Sequence, residues 1–558
     1  VSYSRTITKG ISTNSEFGSP LGSAIALSPL LSVYVDPADE QAVIDYYKHN
    51  PDTDQVDDTG APMYPYYSDF NLVRSKDGRL YTVPGADFSE MVNPLADLSL
   101  PGQVNNYDRF IAGGEIAFQL YDGLTLRSSI NADLQFGGWD GWTPNHFLGG
   151  TRKQGYSSVY GGMSRGITWQ VENTLTYQKT FAEKHNLTVM LGQTALSNTG
   201  RQVGASRKYL IEEDPSKANL NFALSQPAEN DGSGNLYEDY RLSSFFARAS
   251  YDFDNRYMIQ ATIRRDGSSR FGPDNRFATF PSVSAGWNIK NESWMKDEAP
   301  WLSTLKLRAS WGQTGQQGVG GYYDSQAKYY KNLLGSYYIF GGQVVNPLTA
   351  LGYNADLKWE TTTTWNVGLD FGFLKDRITM GFDAYVRKTT DLLNYIPVPA
   401  LGNLTNYLNT NIGSLENRGI EFEVNAMAID TKDWTWSIGG NIAFNRTTIT
   451  KLTASANDKT GVETGGISGG VGNNIQMHQV GYAPSSFYVY QQVYDADGNP
   501  VQNAVVDRNK DGKITSEDKY LAVTADGKAI KPAPDFYYGI SFKATYKKWD
   551  FGFNGHGS

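Results

Sequence analysis

The stretch LTLRSSINADLQF, Leu124 to Phe136, alternates apolar and polar side chains with a period of two residues. Its even positions carry Leu, Leu, Ser, Ile, Ala, Leu and Phe, and its odd positions are all polar. Because successive residues of a β-strand point to opposite faces, one face of this segment is apolar and the other is polar. The pattern predicts a strand that separates an apolar medium from water.

The same alternation recurs in segments 244–252, 257–264, 420–426, 434–445 and 538–546. These segments belong to strands of roughly 10 to 13 residues, which matches tilted membrane-barrel strands better than the shorter strands of globular proteins. We count roughly 16 such strands, with boundaries good to a few residues. Strand length therefore favours a membrane barrel over a soluble β-sandwich.

The connections between these strands fall into two groups. Tight turns are expected at 121–123, 252–256, 374–376, 430–433 and 547–548. Long polar connections are expected at about 9–107, 137–166, 196–240, 312–358 and 446–486. Short turns on one rim and long loops on the other are typical of outer-membrane barrels, so the long segments are expected to be extracellular loops.

Composition narrows the class of protein further. The 558 residues include 36 Tyr, 26 Phe and 12 Trp, and amphipathic aromatics gather where an apolar band meets water. The net charge of -9 argues against nucleic acid as a partner. With no Cys, there is no disulfide framework, and no apolar run is long enough for a membrane-spanning helix. A chain of this type that spans a membrane must do so as a closed barrel.

Several motifs in a fixed order resemble the SusC/RagA-like TonB-linked outer-membrane transporters. They are DGSSRFG (266–272) ahead of TFPS (279–282), LKWETT (357–362), KTTDLL (388–393) and NIGSLEN (411–417), with GISTN (10–14) near the start. Each motif is weakly specific, but their order and spacing together make the resemblance strong, and it covers essentially the whole chain.

The resemblance implies an all-β fold, a transmembrane antiparallel β-barrel of the TonB-dependent receptor type with 22 strands around a plug. It also implies a location in the outer membrane, in contact with its lipids, and energy from the TonB–ExbB–ExbD complex. A SusD-like surface lipoprotein would act as a lid, and the cargo would be a glycan or a peptide. No plug or TonB-interacting segment is recognisable, and both ends read as strand interiors, so residues 1–558 are expected to form an incomplete barrel domain.

One segment matches a calcium-binding loop. In DRNKDGKITSED (507–518) the oxygen-bearing side chains Asp507, Asn509 and Asp511 occupy positions one, three and five, and Gly512 allows a sharp turn at position six. Lys513 can offer its carbonyl at position seven, and Asp518 stands at position twelve, where an EF-hand has Glu. We expect a Ca²⁺ site on an external loop, without flanking helices. An Asx-rich turn that binds no ion remains the alternative.

The sequence contains no recognisable catalytic centre. The five His residues are scattered, and no nucleophile elbow or phosphate-binding loop is present. Glu421 and Glu423 are expected on a solvated lumen face, and Arg264, Asp266 and Arg270 in a rim cluster that orders a loop. The leading hypothesis is active import of oligosaccharides, glycans or peptides. A passive porin, a surface glycan-binding β-protein or glycosidase, and a TonB-linked receptor for metal chelates or vitamins remain alternatives.

Overall fold

The computed structural model describes residues 1–10, 19–85, 91–150, 152–224, 231–234, 239–318, 321–331, 338–345, 348–398, 405–452, 461–467 and 470–558. Within these, fifteen strands form the main sheet. They are β1 (Ser2–Lys9), β2 (Val104–Tyr121), β3 (Leu124–Thr143), β4 (Ser158–Phe181), β5 (His185–Lys208), β6 (Tyr240–Phe253), β7 (Tyr257–Ser268), β8 (Phe277–Asn288), β9 (Leu302–Gln316), β10 (Glu360–Phe373), β11 (Ile378–Thr390), β12 (Ser414–Asp430), β13 (Trp434–Lys451), β14 (Phe536–Tyr546) and β15 (Trp549–Gly557).

Each strand pairs antiparallel with the next one along the chain, from β1 to β15. A short strand, Asp231–Gly234, adds to the outer end of β5 and brings the sheet to 16 strands. A sheet that winds in strict sequence order, with one apolar and one polar face, is the wall of an up-and-down barrel. The predicted all-β antiparallel transmembrane barrel fold is thus confirmed, and the main sheet agrees with the roughly 16 strands counted from the sequence.

The short turns lie on one rim, as predicted. Gly123 at the β2–β3 turn, Asp254 and Asn255 at the β6–β7 turn, and Lys547 at the β14–β15 turn all have positive φ angles. Positive φ matches the twist of paired strands at tight hairpins, and Gly, Asn and Asp tolerate it best. The backbone reverses within a few residues at these hairpins, and residues 289–301 form a longer connection between β8 and β9 on the same rim. We take this rim as the periplasmic side.

On the opposite side the strands run further than their sequence pattern indicates. β3 continues to Thr143 and β5 to Lys208, so the predicted loops 137–166 and 196–240 begin too early. Near the other end of the chain, one connection extends from β13 to β14, well beyond the predicted limit of 486. Above the lipid-facing zone both faces of the strands meet water, so apolar and polar residues no longer alternate there. Without that alternation the sequence does not predict where these strands end.

The connections contain small elements of their own. The helices are α1 (Pro20–Ala26), α2 (Glu40–Tyr47) and α3 (Pro94–Ser99), and the 3₁₀ turns are Pro51–Asp54, Leu220–Phe222, Pro273–Asn275, Ile289–Asn291 and Ser516–Asp518. The short strands are His146–Phe147, Lys153–Gln154, Lys328–Lys331, Tyr338–Phe340, Gln343–Val345, Leu348–Leu351, Leu393–Pro397, Tyr407–Asn411, Val462–Ile467, Gly470–His478, Ser486–Val489, Gln492–Tyr494, Pro500–Val505 and Tyr520–Leu521. In the described part of the chain, no helix has the length and apolar character needed to cross a membrane.

The first long connection is folded rather than extended. Val92, Ala96 and Leu148 are buried against Tyr81, so α3 packs on the β3–β4 connection. Asn93 begins α3 with its side-chain oxygen accepting from the N–H groups of Leu95 and Ala96. The sequence predicted this region only as a loop, because its helices are too short to produce a clear period.

Candidate functional site

The polar face of the sheet carries an ion cluster at mid-strand. Arg308 on β9 donates from Nε and Nη2 to the carboxylate of Asp370 on β10, at 2.9 and 2.8 Å. The same guanidinium reaches Asp383 on β11, with Nη1 and Nη2 at 3.1 and 2.9 Å. Planar Arg matches two carboxylates in this way better than Lys could. The cluster fixes three strands to one another on the lumen side.

Next to this cluster the wall forms a cavity of about 470 Å³. Its lining includes the polar, lumen-facing side chains of Asp252, Gln260, Lys306 and Asn366. These residues come from four different strands and share the face opposite the apolar rows. The arrangement offers hydrogen-bond donors and acceptors to a water-filled interior or to whatever occupies it.

The predicted rim cluster is present, and the structure shows how it orders a loop. Arg264 donates from Nε to Asp266 at 2.7 Å. Arg270 contacts both rings of the stacked pair Tyr240 and Tyr322, whose centres are 5.8 Å apart, with its guanidinium carbon 4.7 and 4.3 Å from the two ring centres. Such cation–π contacts attach the β9–β10 connection to the rim of β6. The loop-ordering interpretation of these residues is thereby supported.

Trp359 has a role that the sequence did not reveal. It directly precedes β10, and only 7% of it is exposed. Its ring packs on Phe271 and Phe280, with Leu357 and Leu393 in the same cluster, and its indole N–H donates to the carbonyl of Arg276 at 3.1 Å. Trp359 is therefore the centre of a small core that joins the DGSSRFG and LKWETT segments.

Aromatic side chains are exposed on the long connections. Tyr395 and Tyr407 stack with ring centres 5.2 Å apart on the small hairpin between β11 and β12, and both are exposed. Tyr329 and Tyr338 are exposed on the β9–β10 connection. Tyr337 and residues 11–14 of the GISTN motif lie outside the described residues. Stacked tyrosines on an extracellular hairpin present flat apolar faces next to hydroxyl groups.

The calcium-like loop lies in the connection between β13 and β14. Asp507 accepts from the N–H of Gly512 at 2.8 Å, Asn509 from that of Asp511 at 3.1 Å, and Asp511 from that of Lys513 at 2.8 Å. Gly512 has φ +81°, which a side chain would disfavour. The first three predicted ligands thus stand on one tight, exposed turn. A strand, Pro500–Val505, precedes the loop, and the short strand Tyr520–Leu521 follows it.

Asp518 occupies a different position from the other four. It is fully buried, and its oxygens accept from the N–H groups of Arg508 and Thr515, both at 2.8 Å. The hydrogen bond from Thr515, aided by those from Arg508 and Asn509, lowers the pKa of Asp518, although burial opposes this shift. Asp518 closes the loop from within. Calcium binding by Asp507, Asn509, Asp511, Lys513 and Asp518 stays a prediction.

The described residues contain no group of three or more His, Cys, Asp or Glu side chains placed to hold a metal ion. Glu421 and Glu423 lie on the lumen face of β12, as expected from their parity, where they pair with Asp383 and Gly381 in the ladder to β11. Nothing in this arrangement separates their roles into an acid and a base.

A sheet with an apolar outer face, a polar inner face, short turns on one rim and folded loops on the other defines an outer-membrane β-barrel protein. Comparison with known proteins gives the family. The family model for the "TonB dependent receptor-like, beta-barrel" matches residues 44–554. The chain belongs to this TonB-dependent receptor family and is an outer-membrane protein.

Relatives with curated names cover most of this chain. It is 36% identical over 548 residues to TonB-dependent receptor SusC of Bacteroides thetaiotaomicron, which covers 96% of the chain and 50% of SusC. It is 30% identical over 471 residues to TonB-dependent receptor P3 of Formosa agariphila, covering 82% of the chain and 45% of that relative. The chain therefore spans about half the length of these relatives.

A solved structure described as the RagAB peptide transporter matches with a TM-score of 0.68 and 25% identity, over 86% of this chain and 51% of that one. The same assembly in an "open-open" state matches with a TM-score of 0.64. The predicted SusC/RagA-like family membership is thus confirmed.

Proposed function

We propose that the full-length protein imports oligosaccharides, or peptides, across the outer membrane with energy from the TonB–ExbB–ExbD complex. The observation that carries this proposal is the 36% identity to SusC along 96% of the chain. The likeness to the RagAB peptide transporter supports a peptide as the second substrate class. In this proposal the protein is a transporter and not an enzyme, and its chemistry is binding and gating.

The proposed substrate path runs from the exposed tyrosines to the polar lumen. Tyr395 and Tyr407 offer stacked aromatic faces at the extracellular end, where sugar rings bind through their apolar faces. Polar side chains such as Gln260 and Asn366 follow on the lumen wall. A SusD-like lipoprotein would close over the long connections that carry these tyrosines.

Uptake of labelled oligosaccharides and labelled peptides by cells that express the full-length protein tests the proposal. We expect uptake of one of the two classes that stops when TonB is deleted, and copurification of a surface lipoprotein. Uptake that continues without TonB would indicate a passive porin and overturn the proposal. Tyr395→Ala should raise the substrate concentration for half-maximal uptake, whereas Tyr494→Ala, an exposed tyrosine on another loop, should not.

A further inference from the structure

The outward face of four neighbouring strands carries two complete rows of paired residues. Val367, Ala384, Ile420 and Phe444 lie opposite one another across β10 to β13 and form an apolar row. One step towards the extracellular side, the next outward row consists of Trp365, Val386, Arg418 and Arg446. The outer surface thus changes from fully apolar to cationic within a single step.

This change falls at the height of the lipid headgroups. Arg446 follows the first residue of β13, Trp434, by 12 residues. A tilted strand climbs about 25–30 Å over that length, which is close to the thickness of the apolar band. Trp365 at the same level is a usual interfacial residue. The arginines of the upper row therefore lie at the outer boundary of the membrane.

The two rows form the inner wall of a cavity of about 1030 Å³. The other wall is the segment 527–535, just before β14, which contributes Pro532, Pro534, Lys528 and Lys531. Arg418, Arg446, Lys528 and Lys531 line the cavity together with Asp535. Lys531 is paired with Asp535 at 3.1 Å and Lys528 with Asp526 at 3.3 Å, so the two arginines are the cations that face the cavity without a loop carboxylate. Its lower part is apolar, and its upper part is positively charged.

Arg446 is exposed and has no carboxylate partner within the described part of the chain. Arg418 is paired with Glu416 at 2.5 Å, and Glu416 also receives Lys388 at 3.4 Å, so two cations share this one carboxylate next to Arg446. An unpaired guanidinium group at the level of the lipid headgroups can bind a phosphate group through two parallel hydrogen bonds.

We propose that this cavity binds a phosphorylated, acylated glycolipid of the outer leaflet. Arg446 and Arg418 contact the headgroup phosphate. The acyl chains lie on Val367, Ile420 and Phe444. A free phosphate would make no contact with the apolar row, and a neutral lipid would not be attracted by the cations.

Binding of monophosphoryl lipid A to the purified full-length receptor in detergent tests this site, with dephosphorylated lipid A as the paired probe. We expect the phosphorylated lipid to bind to the unaltered protein. Its affinity should fall about tenfold or more in Arg418→Gln/Arg446→Gln, because the double variant cannot make the charged hydrogen bonds to the phosphate. The dephosphorylated lipid should bind weakly to both proteins. Arg127→Gln, an exposed arginine on the lumen side, should bind as the unaltered protein does.

Equal binding of the two lipids, or an unchanged affinity in the double variant, would overturn the proposal. Competition by inorganic phosphate at the lipid's own concentration would also overturn it, because the acyl contacts would then contribute nothing. Val367→Trp keeps every charge but fills the apolar wall. If the arginine variant does not fold, a tenfold weaker affinity of Val367→Trp supports the site, and an unchanged affinity rejects it.

Discussion

Arg308 and Asp383 form an ion pair across an intervening strand, and Gly368 on that strand makes the contact possible. A Cβ atom at Gly368 would lie 2.6 Å from the Asp383 carboxylate and 2.7 Å from the guanidinium carbon of Arg308. Both distances are well inside van der Waals contact. Glycine at position 368 is therefore required by the ion cluster that connects β9, β10 and β11, because any side chain there would collide with it.

Gly368→Ala should weaken this part of the barrel. The added methyl group must displace the ion pair, and overfilling a packed site costs about 1–3 kcal/mol. We expect a lower temperature of barrel unfolding, measured by heat-dependent mobility on gels in detergent. Gly440→Ala is the control, because its nearest atoms are at 3.8 Å. A Gly368→Ala barrel as heat-resistant as the control would show that the cluster contributes little.

The membrane zone of the fold could be predicted from sequence, and its upper part could not. Apolar and polar residues alternate from Leu124 to Phe136 because one face of the strand meets lipid and the other meets water. Beyond Phe136, strand β3 continues as GGWDGWT to Thr143. Both faces are then in water, so the backbone ladder persists without a pattern in the side chains.

The site residues divide in a similar way. The turn that holds Asp507, Asn509 and Asp511 is local in sequence, and its geometry follows from Gly512 and the spacing of the acceptors. The contact of Arg270 with Tyr240 and Tyr322 joins segments far apart in the chain. Pairings of this kind depend on which loops meet, and a single sequence does not contain that information.

Trp359→Ala should loosen the outer loops without opening the barrel. The residue fills a buried cluster between Phe271 and Phe280, and removal of a buried Trp costs about 3–5 kcal/mol. Limited proteolysis of intact cells should cut the β7–β8 and β9–β10 connections faster in this variant. Trp294→Ala, exposed near the opposite rim, provides the comparison. Equal cleavage rates in the two variants would contradict a core role for Trp359.

Acid should release the loop that Asp518 closes. Its pKa is lowered below the ordinary 3.8, so the carboxylate stabilises the folded loop fully above pH 3.8. That contribution is lost as the pH falls through the lower pKa of the folded state. The protection of the N–H groups of Arg508 and Thr515 against hydrogen exchange, measured relative to the intrinsic exchange rate at each pH, should therefore fall below pH 3.8. In Asp518→Asn the exchange should already be fast at neutral pH and should not show this acid transition.

Calcium should protect the same loop if the turn binds it. Asp507 accepts two backbone hydrogen bonds in the turn, and Asn509 and Asp511 accept one each. Further lone pairs on their oxygens remain for a hard cation. Titration calorimetry should detect Ca²⁺ binding to the full-length protein, and Asp511→Ala should weaken it about tenfold or more, since a charged ligand is lost. Asp497→Ala removes an exposed carboxylate from a separate turn and should bind Ca²⁺ normally. If Asp511→Ala and the unaltered protein give the same heat, these residues form an Asx-rich turn that needs no ion, and their hydrogen bonds together with Asp518 stabilise the loop.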